Sequence, residues 1–373
     1  MTSAARPGPA RLTVDLRAIV ANWRRLCRLA GVARVAAVVK ADAYGLGADR
    51  VAPALARAGC RDFFVARLSE GVALRHVLPG DARLLVLDGL ASPNVDPFLE
   101  HDLVPVLNGR RDVCSWIGLA RHVGRRLPAA IHVDTGMCRL GLSADEARRA
   151  AGDDLSAIDL VLVMSHLACA EDTDHPLNHL QLERFGEVSA LFPGVPRSLA
   201  NSSGMFLGAG WHFDLCRPGV ALYGVNPTPG RPNPMLPVVR LEAPVLQQHD
   251  IAEVGTVGYG ATRAVWPGER IVTVPVGYAD GFPRSVGAGW SAGLLGWALP
   301  LASRVSMDTV CLDASAVPPD LLARRGTVVE LVGGPDGVDR LAAAAGTIGY
   351  EILTRLGRRH ERVYLDEDGS GTE

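Results

Sequence analysis

The sequence predicts an α/β protein: a (β/α)₈ barrel followed by a mainly β domain. Eight short apolar runs, at 35–39, 63–66, 84–87, 103–106, 129–133, 160–164, 197–200 and near 219–223, alternate with helix-like stretches. No Gly-x-Gly-x-x-Gly follows the first run, which argues against an open dinucleotide-binding sheet. Beyond a Pro/Asn/Gly-rich crossing at 227–237 the apolar period becomes two, with Val272, Val274 and Val276 alternating with Thr273 and Pro275. The barrel is assigned to 11–240 and the β domain to 241–373, with residues 1–14 expected to pack with the latter.

The elements follow in chain order. Asp15 is placed to cap a helix whose apolar residues Leu16, Ile19, Val20, Trp23, Leu26 and Cys27 recur at three- and four-residue intervals. Ser143 and Glu146 form a capping box that opens a later helix, and the stretch from His179 to Phe185 belongs to another. In the second domain, the run at 327–332 reads as a strand bounded by the turn Gly333-Gly334-Pro335-Asp336-Gly337. Segments 341–345 and 350–356 read as short helices.

Bulk properties exclude several classes. The net charge of −2 argues against a nucleic-acid surface. No uncharged run is long enough to span a bilayer, and the first ten residues lack a signal-peptide core. Seven scattered cysteines form neither a disulfide framework nor a zinc pattern, so no metal is expected. These features predict a cytoplasmic protein acting on a small molecule.

In a barrel the chemistry sits at the carboxyl ends of the strands. Lys40 closes the first run; His132, Asp134 and Arg139 surround the fifth; Ser165 and His166 end the sixth; Asn201, Ser202 and Ser203 end the seventh; Arg217-Pro218-Gly219 enters the last. An unpaired buried ammonium is costly, so a lysine ending a buried strand is either leaving the core or working as a Schiff-base amine. Ser202, Tyr44 and the amides around Gly219 suit a phosphate nest. Arg217 stays protonated and can only donate, as to an aromatic nitrogen. The set describes pyridoxal 5'-phosphate tethered to Lys40, with chemistry centred on an amino acid α-carbon.

Carrying these residues, the chain resembles the alanine racemases, pyridoxal-phosphate enzymes with an N-terminal barrel and a C-terminal β domain. The likeness runs nearly end to end. It includes Val38-Val39-Lys40-Ala41-Asp42-Ala43-Tyr44-Gly45, Val133-Asp134-Thr135-Gly136-Met137, Asn201-Ser202 and Arg217-Pro218-Gly219-Val220. In the second domain it includes Val257-Gly258-Tyr259-Gly260, Gly277-Tyr278-Ala279-Asp280-Gly281, Ser306-Met307-Asp308 and Gly349-Tyr350-Glu351. The resemblance implies that Lys40 and Tyr259 are the catalytic bases on opposite faces of the substrate, Tyr259 coming from the partner subunit of a homodimer. It further implies that His166 bonds Tyr259, that Arg217 meets the pyridine nitrogen, and that Tyr44, Ser202, Gly219, Val220 and Tyr350 hold the phosphate. Arg139 and Met307 are expected to bind substrate, Arg139 also touching the cofactor's phenolic oxygen. Tyr278, Arg284 and Arg304 are expected at the entrance.

One departure stands out. Many members have a lysine, which can be carbamylated, where this chain has His132, so the negative charge beside the arginine matching Arg139 must come from elsewhere; Asp134, a bound anion or water are candidates. Cys169, Glu171 and Asp172 differ at the entrance loop. The expected activity is interconversion of L- and D-alanine, supplying D-alanine for peptidoglycan. The alternatives are a broad-specificity or serine-type racemase, a pyridoxal-phosphate decarboxylase, which generally pairs the ring nitrogen with a carboxylate, and a non-catalytic carrier, which would resemble the barrel alone.

Overall fold

The computed structural model describes residues 8–366 and 371–372, apart from 93, 288 and 323–325. No described helix is long and apolar enough to cross a membrane. The chain forms two compact units, one of residues 19–235 and the other of residues 1–18 with 236–373.

The first unit is the barrel. Seven parallel strands follow in chain order: Ala37–Val38, Asp62–Val65, Arg83–Val86, Leu103–Leu107, Leu127–His132, Ile158–Met164 and Arg197–Ser198. Asp62–Val65 and Leu103–Leu107 are buried at every residue, as strands covered on both faces must be. The eighth strand is Leu215–Cys216, which pairs in parallel with Arg34–Val35. Arg217 N–H donates to Ala200 O (2.9 Å) and Asp214 N–H to Arg197 O (3.0 Å), while Ala36 N–H donates to Cys216 O (2.9 Å) and Val38 N–H to Pro218 O (3.0 Å). These bonds close the ring between the seventh strand and the first.

This corrects the expectation of a last strand near 219–223. Those residues form a short 3₁₀ turn, Val220–Tyr223, after Gly219. Pro218 has no N–H to give a ladder, and the amides of Gly219 (2.9 Å) and Ala221 (3.3 Å) turn instead to the Ser202 hydroxyl. The helix Leu16–Ala30 begins as the sequence predicts: Asp15 Oδ1 accepts from Arg17 and Ala18, and Leu16, Ile19, Val20, Trp23 and Leu26 are buried. Ser143 and Glu146 likewise exchange capping bonds at Ala144–Ala151.

In the second unit, Arg11–Asp15 lies between two strands of the C-terminal half, antiparallel to Val239–Pro244 and parallel to Glu361–Leu365. A three-stranded sheet joins Gln247–Asp250, Arg270–Val274 and Val310–Asp313. The hairpin Gly255–Val257 and Arg263–Val265 packs Val257 and Val265 on Ile271 and Ala302.

At the amino ends of the first barrel strands, Asp62, only 3% exposed, accepts hydrogen bonds from Arg34 (2.7 Å) and Arg83 (2.7 Å). One carboxylate thus ties the strands Arg34–Val35, Asp62–Val65 and Arg83–Val86 at the end opposite the candidate site. Asp62→Ala is expected to lower stability in urea unfolding by about 1–3 kcal/mol, the arginines being partly solvated, while kcat stays near wild type.

Candidate active site

Lys40 leaves the first barrel strand and begins a turn of unusual hand. Ala41, Asp42, Ala43 and Tyr44 have φ of 54°, 55°, 52° and 57°, all in the left-handed region. Four consecutive non-glycine residues there cost about 1–2 kcal/mol each, so the surroundings must impose the conformation. Ala43 N–H bonds back to Val39 O (2.9 Å) and Gly47 N–H to Asp42 O (3.0 Å), while the Asp42 carboxylate accepts from Ala48 N–H (2.8 Å).

The turn buries Tyr44 against Tyr223, ring centroids 4.8 Å apart. Tyr223 in turn donates from its hydroxyl to Val38 O (2.9 Å). The Tyr44 hydroxyl lies where a side chain at Gly219 would begin, so any other residue there would have to displace it. Ser202 Oγ gathers the amides of Gly219 and Ala221. Tyr44, Ser202, Gly219 and Val220 therefore form one buried cradle of hydroxyls and N–H groups.

The charges at the mouth are lopsided. Arg217 is only 4% exposed and donates to the Ser198 hydroxyl and the Ser165 carbonyl, both neutral. Burial pulls its pKa down to about 10, which still leaves it protonated at neutral pH. The Lys40 ammonium is pushed below its ordinary range by burial and by Arg139, against the opposing pull of Glu70 and Asp88. Burial, then Arg217, Arg139, Lys40 and His132, hold His166 well below the usual histidine range. It is a neutral imidazole.

Behind these groups lies a neutral network. Gln181, fully buried, donates to Thr135 Oγ1 (3.1 Å) and His166 O (2.8 Å) and accepts from Ala168 N–H (2.8 Å). Thr135 and Ser165 share a 2.8 Å bond.

His132 is buried, with a pKa pulled to about 4 by desolvation and then by Arg217 and Arg139. Its Nδ1 lies 2.9 Å from Asn108 Oδ1. Because Asn108 Nδ2 donates to Leu87 O (2.8 Å) and Val106 O (3.0 Å), its oxygen must face the ring. His132 is therefore the Nδ1–H tautomer, with Nε2 as an acceptor. Asp134 does not supply the missing charge: no ion pair joins it to Arg139 among the described residues. Burial would raise its carboxyl, but bonds from Gly136, Cys138 and Met137 N–H outweigh that and hold it below its usual range. Arg139 itself is exposed.

The remaining site residues lie in the second unit. Tyr259, 73% exposed, follows the hairpin strand Gly255–Val257. A side chain at Gly258 would overlap Ser303, and one at Gly260 would touch the Arg304 guanidinium. Tyr278 N–H donates to Ser306 O (3.0 Å) and Ala279 N–H to Met307 O (3.0 Å). The segment 303–307 thus gathers Tyr259, Tyr278, Arg304 and Met307, all exposed, on one part of this unit. Asp280 anchors it, accepting from Gly277 N–H (2.8 Å) and pairing with Arg359 (3.2 Å), which also reaches Asp308 (2.8 Å). Arg284 is exposed, and Tyr350, half-buried, lies in the helix Gly349–Arg355. Among the described residues no group of histidine, cysteine or acidic side chains is placed to hold a metal.

Sequence reasoning missed Glu70, Asn108, Gln181 and Asp280. Asn108 follows the strand Leu103–Leu107, a rim position like the others, and was within reach of the same argument. Gln181 and Asp280 act through bonds to backbone and to distant side chains that no spacing announces.

The barrel residues 14–227 match the family model for the alanine racemase N-terminal domain, and residues 238–364 match that for the alanine racemase C-terminal domain. The alanine racemase of Rhodospirillum rubrum is 51% identical over 366 residues, covering 97% of this chain and 98% of that one. The crystal structure of the Bartonella henselae alanine racemase with covalently bound pyridoxal phosphate superposes with a TM-score of 0.90 at 39% identity, covering 96% of this chain and 100% of that one. The biosynthetic alanine racemase of Pseudomonas aeruginosa superposes at 0.88 with 36% identity, covering 96% and 99%.

Two outcomes test the site. NMR of nitrogen-15-labelled histidine is expected to show His132 neutral and protonated on Nδ1 down to about pH 4, and Asn108→Asp is expected to raise that midpoint by ~1 unit or more by placing a carboxylate beside the ring. Gly219→Ala, by displacing Tyr44 from the cradle, is expected to weaken pyridoxal-phosphate binding by about tenfold or more in an absorbance titration.

Proposed function

This chain belongs to the alanine racemase family, and on that premise we propose that Lys40 and Tyr259 are the two bases with which it interconverts L- and D-alanine. It is a pyridoxal-phosphate-dependent alanine racemase with a small amino acid as substrate. The observation that best supports the assigned roles is the barrel mouth itself: a buried arginine donating to a hydroxyl and a carbonyl, a lysine with a depressed pKa, and a cradle of hydroxyls and amides closed by Tyr44 over Gly219.

The residues present fit the cofactor. Ser202, Tyr44 and the Gly219 and Val220 backbone would hold the phosphate, with Tyr350 as a further contributor. Arg217 would meet the ring nitrogen, and Lys40 would tether the aldehyde carbon. Bound there, pyridoxal phosphate supplies an electron-withdrawing system that acidifies the substrate α-hydrogen. A donor-only partner such as Arg217 leaves the ring nitrogen unprotonated, which moderates that withdrawal and disfavours side reactions.

Racemisation requires a proton to leave one face of the α-carbon and another to arrive on the opposite face, so two groups are needed. Lys40 Nζ serves one face. The partner subunit's Tyr259 serves the other, which explains why its hydroxyl-bearing ring stands exposed in a single chain. Neutral His166 bonds the partner subunit's Tyr259 and orients its phenolic oxygen toward the substrate. Arg139 and the partner subunit's Met307 bind the substrate, Met307 at its carboxylate, and Tyr278, Arg284 and Arg304 line the approach. The active species is a homodimer in which the barrel, 19–235, binds cofactor and the β domain supplies the second base. We place it in the cytoplasm, where its D-alanine enters peptidoglycan synthesis.

The test is proton exchange and inversion of L-amino acids in D₂O. Wild type is expected to invert alanine faster than serine or larger residues. Tyr259→Phe is expected to lose inversion of L-alanine by at least ~100-fold while retaining some exchange on the Lys40 face. Equal loss of both processes would count against the two-base assignment, and fastest inversion of another amino acid would replace the substrate preference.

A further inference from the structure

The strained turn after Lys40 needs a restraint, and one carboxylate outside the site just described provides it. Glu70 lies in the first turn of the helix Leu68–Arg75, which follows the second barrel strand. Its Oε1 accepts from Ala41 N–H at 2.7 Å, the amide immediately after Lys40. Its Oε2 accepts from Ala66 N–H (2.7 Å) and Arg67 N–H (3.1 Å). The bond to Arg67 belongs to an ordinary capping box, and that to Ala66 extends it by one residue within the same junction. The bond to Ala41 does neither, since it crosses from one strand–helix junction to its neighbour.

We propose that Glu70 is a positioning residue: its two oxygens clamp the left-handed turn at Ala41 to the junction at Ala66 and Arg67, and so hold Lys40 at the barrel mouth. The inference rests on the reading of Lys40 as a catalytic base. The geometry demands a carboxylate in particular. Both oxygens accept, and an ionised carboxylate has no donor to turn toward either set of N–H groups. Glutamine has the same shape, but its NH₂ must face N–H groups at one end. The charge contributes as well, because Glu70 and Asp88 are the acidic groups facing Lys40, while Arg139 and the neutral His166 face it from other strand ends.

The test compares full-length wild type with Glu70→Gln and Glu70→Ala. Amide hydrogen exchange is expected to accelerate about tenfold or more across 40–46 in both variants. Residues 66–75 are expected to loosen markedly only in Glu70→Ala, since the glutamine oxygen can still serve Ala66 and Arg67. In cofactor-free protein, the pH midpoint for acetylation of the Lys40 amine is expected to fall in Glu70→Gln, because a negative charge that favours the ammonium is gone. Thermal melts check that both variants are folded, and kcat for alanine is expected to drop about tenfold or more. Wild-type exchange at 40–46 in Glu70→Gln, or loosening confined to 66–75, would overturn the clamp and leave Glu70 as a helix cap. Loosening at 40–46 with unchanged racemisation would leave the clamp standing and count against Lys40 as the base.

Discussion

Everything at the mouth of the barrel depends on how the ring closes. The strand Leu215–Cys216 is short, but it is bonded on one side to Arg34–Val35 and on the other to the backbone following Arg197–Ser198. That double registration brings Arg217, Gly219 and Val220, from the end of the barrel, beside Lys40 and Tyr44 from its beginning. It also places Ser202 where its hydroxyl can collect the Gly219 and Ala221 amides. Were the last strand one residue out of step, the glycine under Tyr44 would be replaced by a bulkier neighbour and the cradle would close.

The site built on that edge is expensive to fold. It buries a guanidinium that has no carboxylate partner among the described residues, depresses a lysine and keeps two histidines neutral. It also holds four residues in left-handed backbone. Carboxylates paired with these groups would relieve the costs, yet two at the rim are taken up by backbone amides: Asp134 ties its own loop and Glu70 grips the amides of Ala41, Ala66 and Arg67. The result is a positive, preorganised mouth that suits an anionic cofactor and substrate, because the charge that would neutralise it must arrive with the ligand.

His132 illustrates how a local departure is absorbed. A neutral imidazole held through Nδ1 by Asn108 presents an acceptor rather than an anion. Its depressed pKa follows from burial near two arginines, so it cannot become a further cation under ordinary conditions. The position thus stays compatible with Arg139 without the charge that a carbamylated lysine would bring.

Much of this was legible in the chain. Alternating apolar runs determined the barrel, the change of period determined the β domain, and the polar residues ending each run determined which side chains would meet at the rim, because strand ends converge in any such barrel. Asp15 and Ser143 announced their helices through local bonds alone. The last strand was misplaced because Leu215–Cys216 carries no more apolar signal than its neighbours; pairing partners distant in the chain select it. The same reason explains why Glu70 and Gln181 were invisible, whereas Asn108, at a strand end, was legible and overlooked. The roles of Glu70 and Gln181 consist of hydrogen bonds to groups that only the folded ring brings within reach, and the hand of the turn after Lys40 is likewise set by such neighbours against the intrinsic preference of its residues. Sequence alone therefore determined which chemistry the chain carries, since that follows from residue type and order. The tertiary structure decided how that chemistry is aimed and charged, since orientation and pKa depend on groups that become neighbours only on folding.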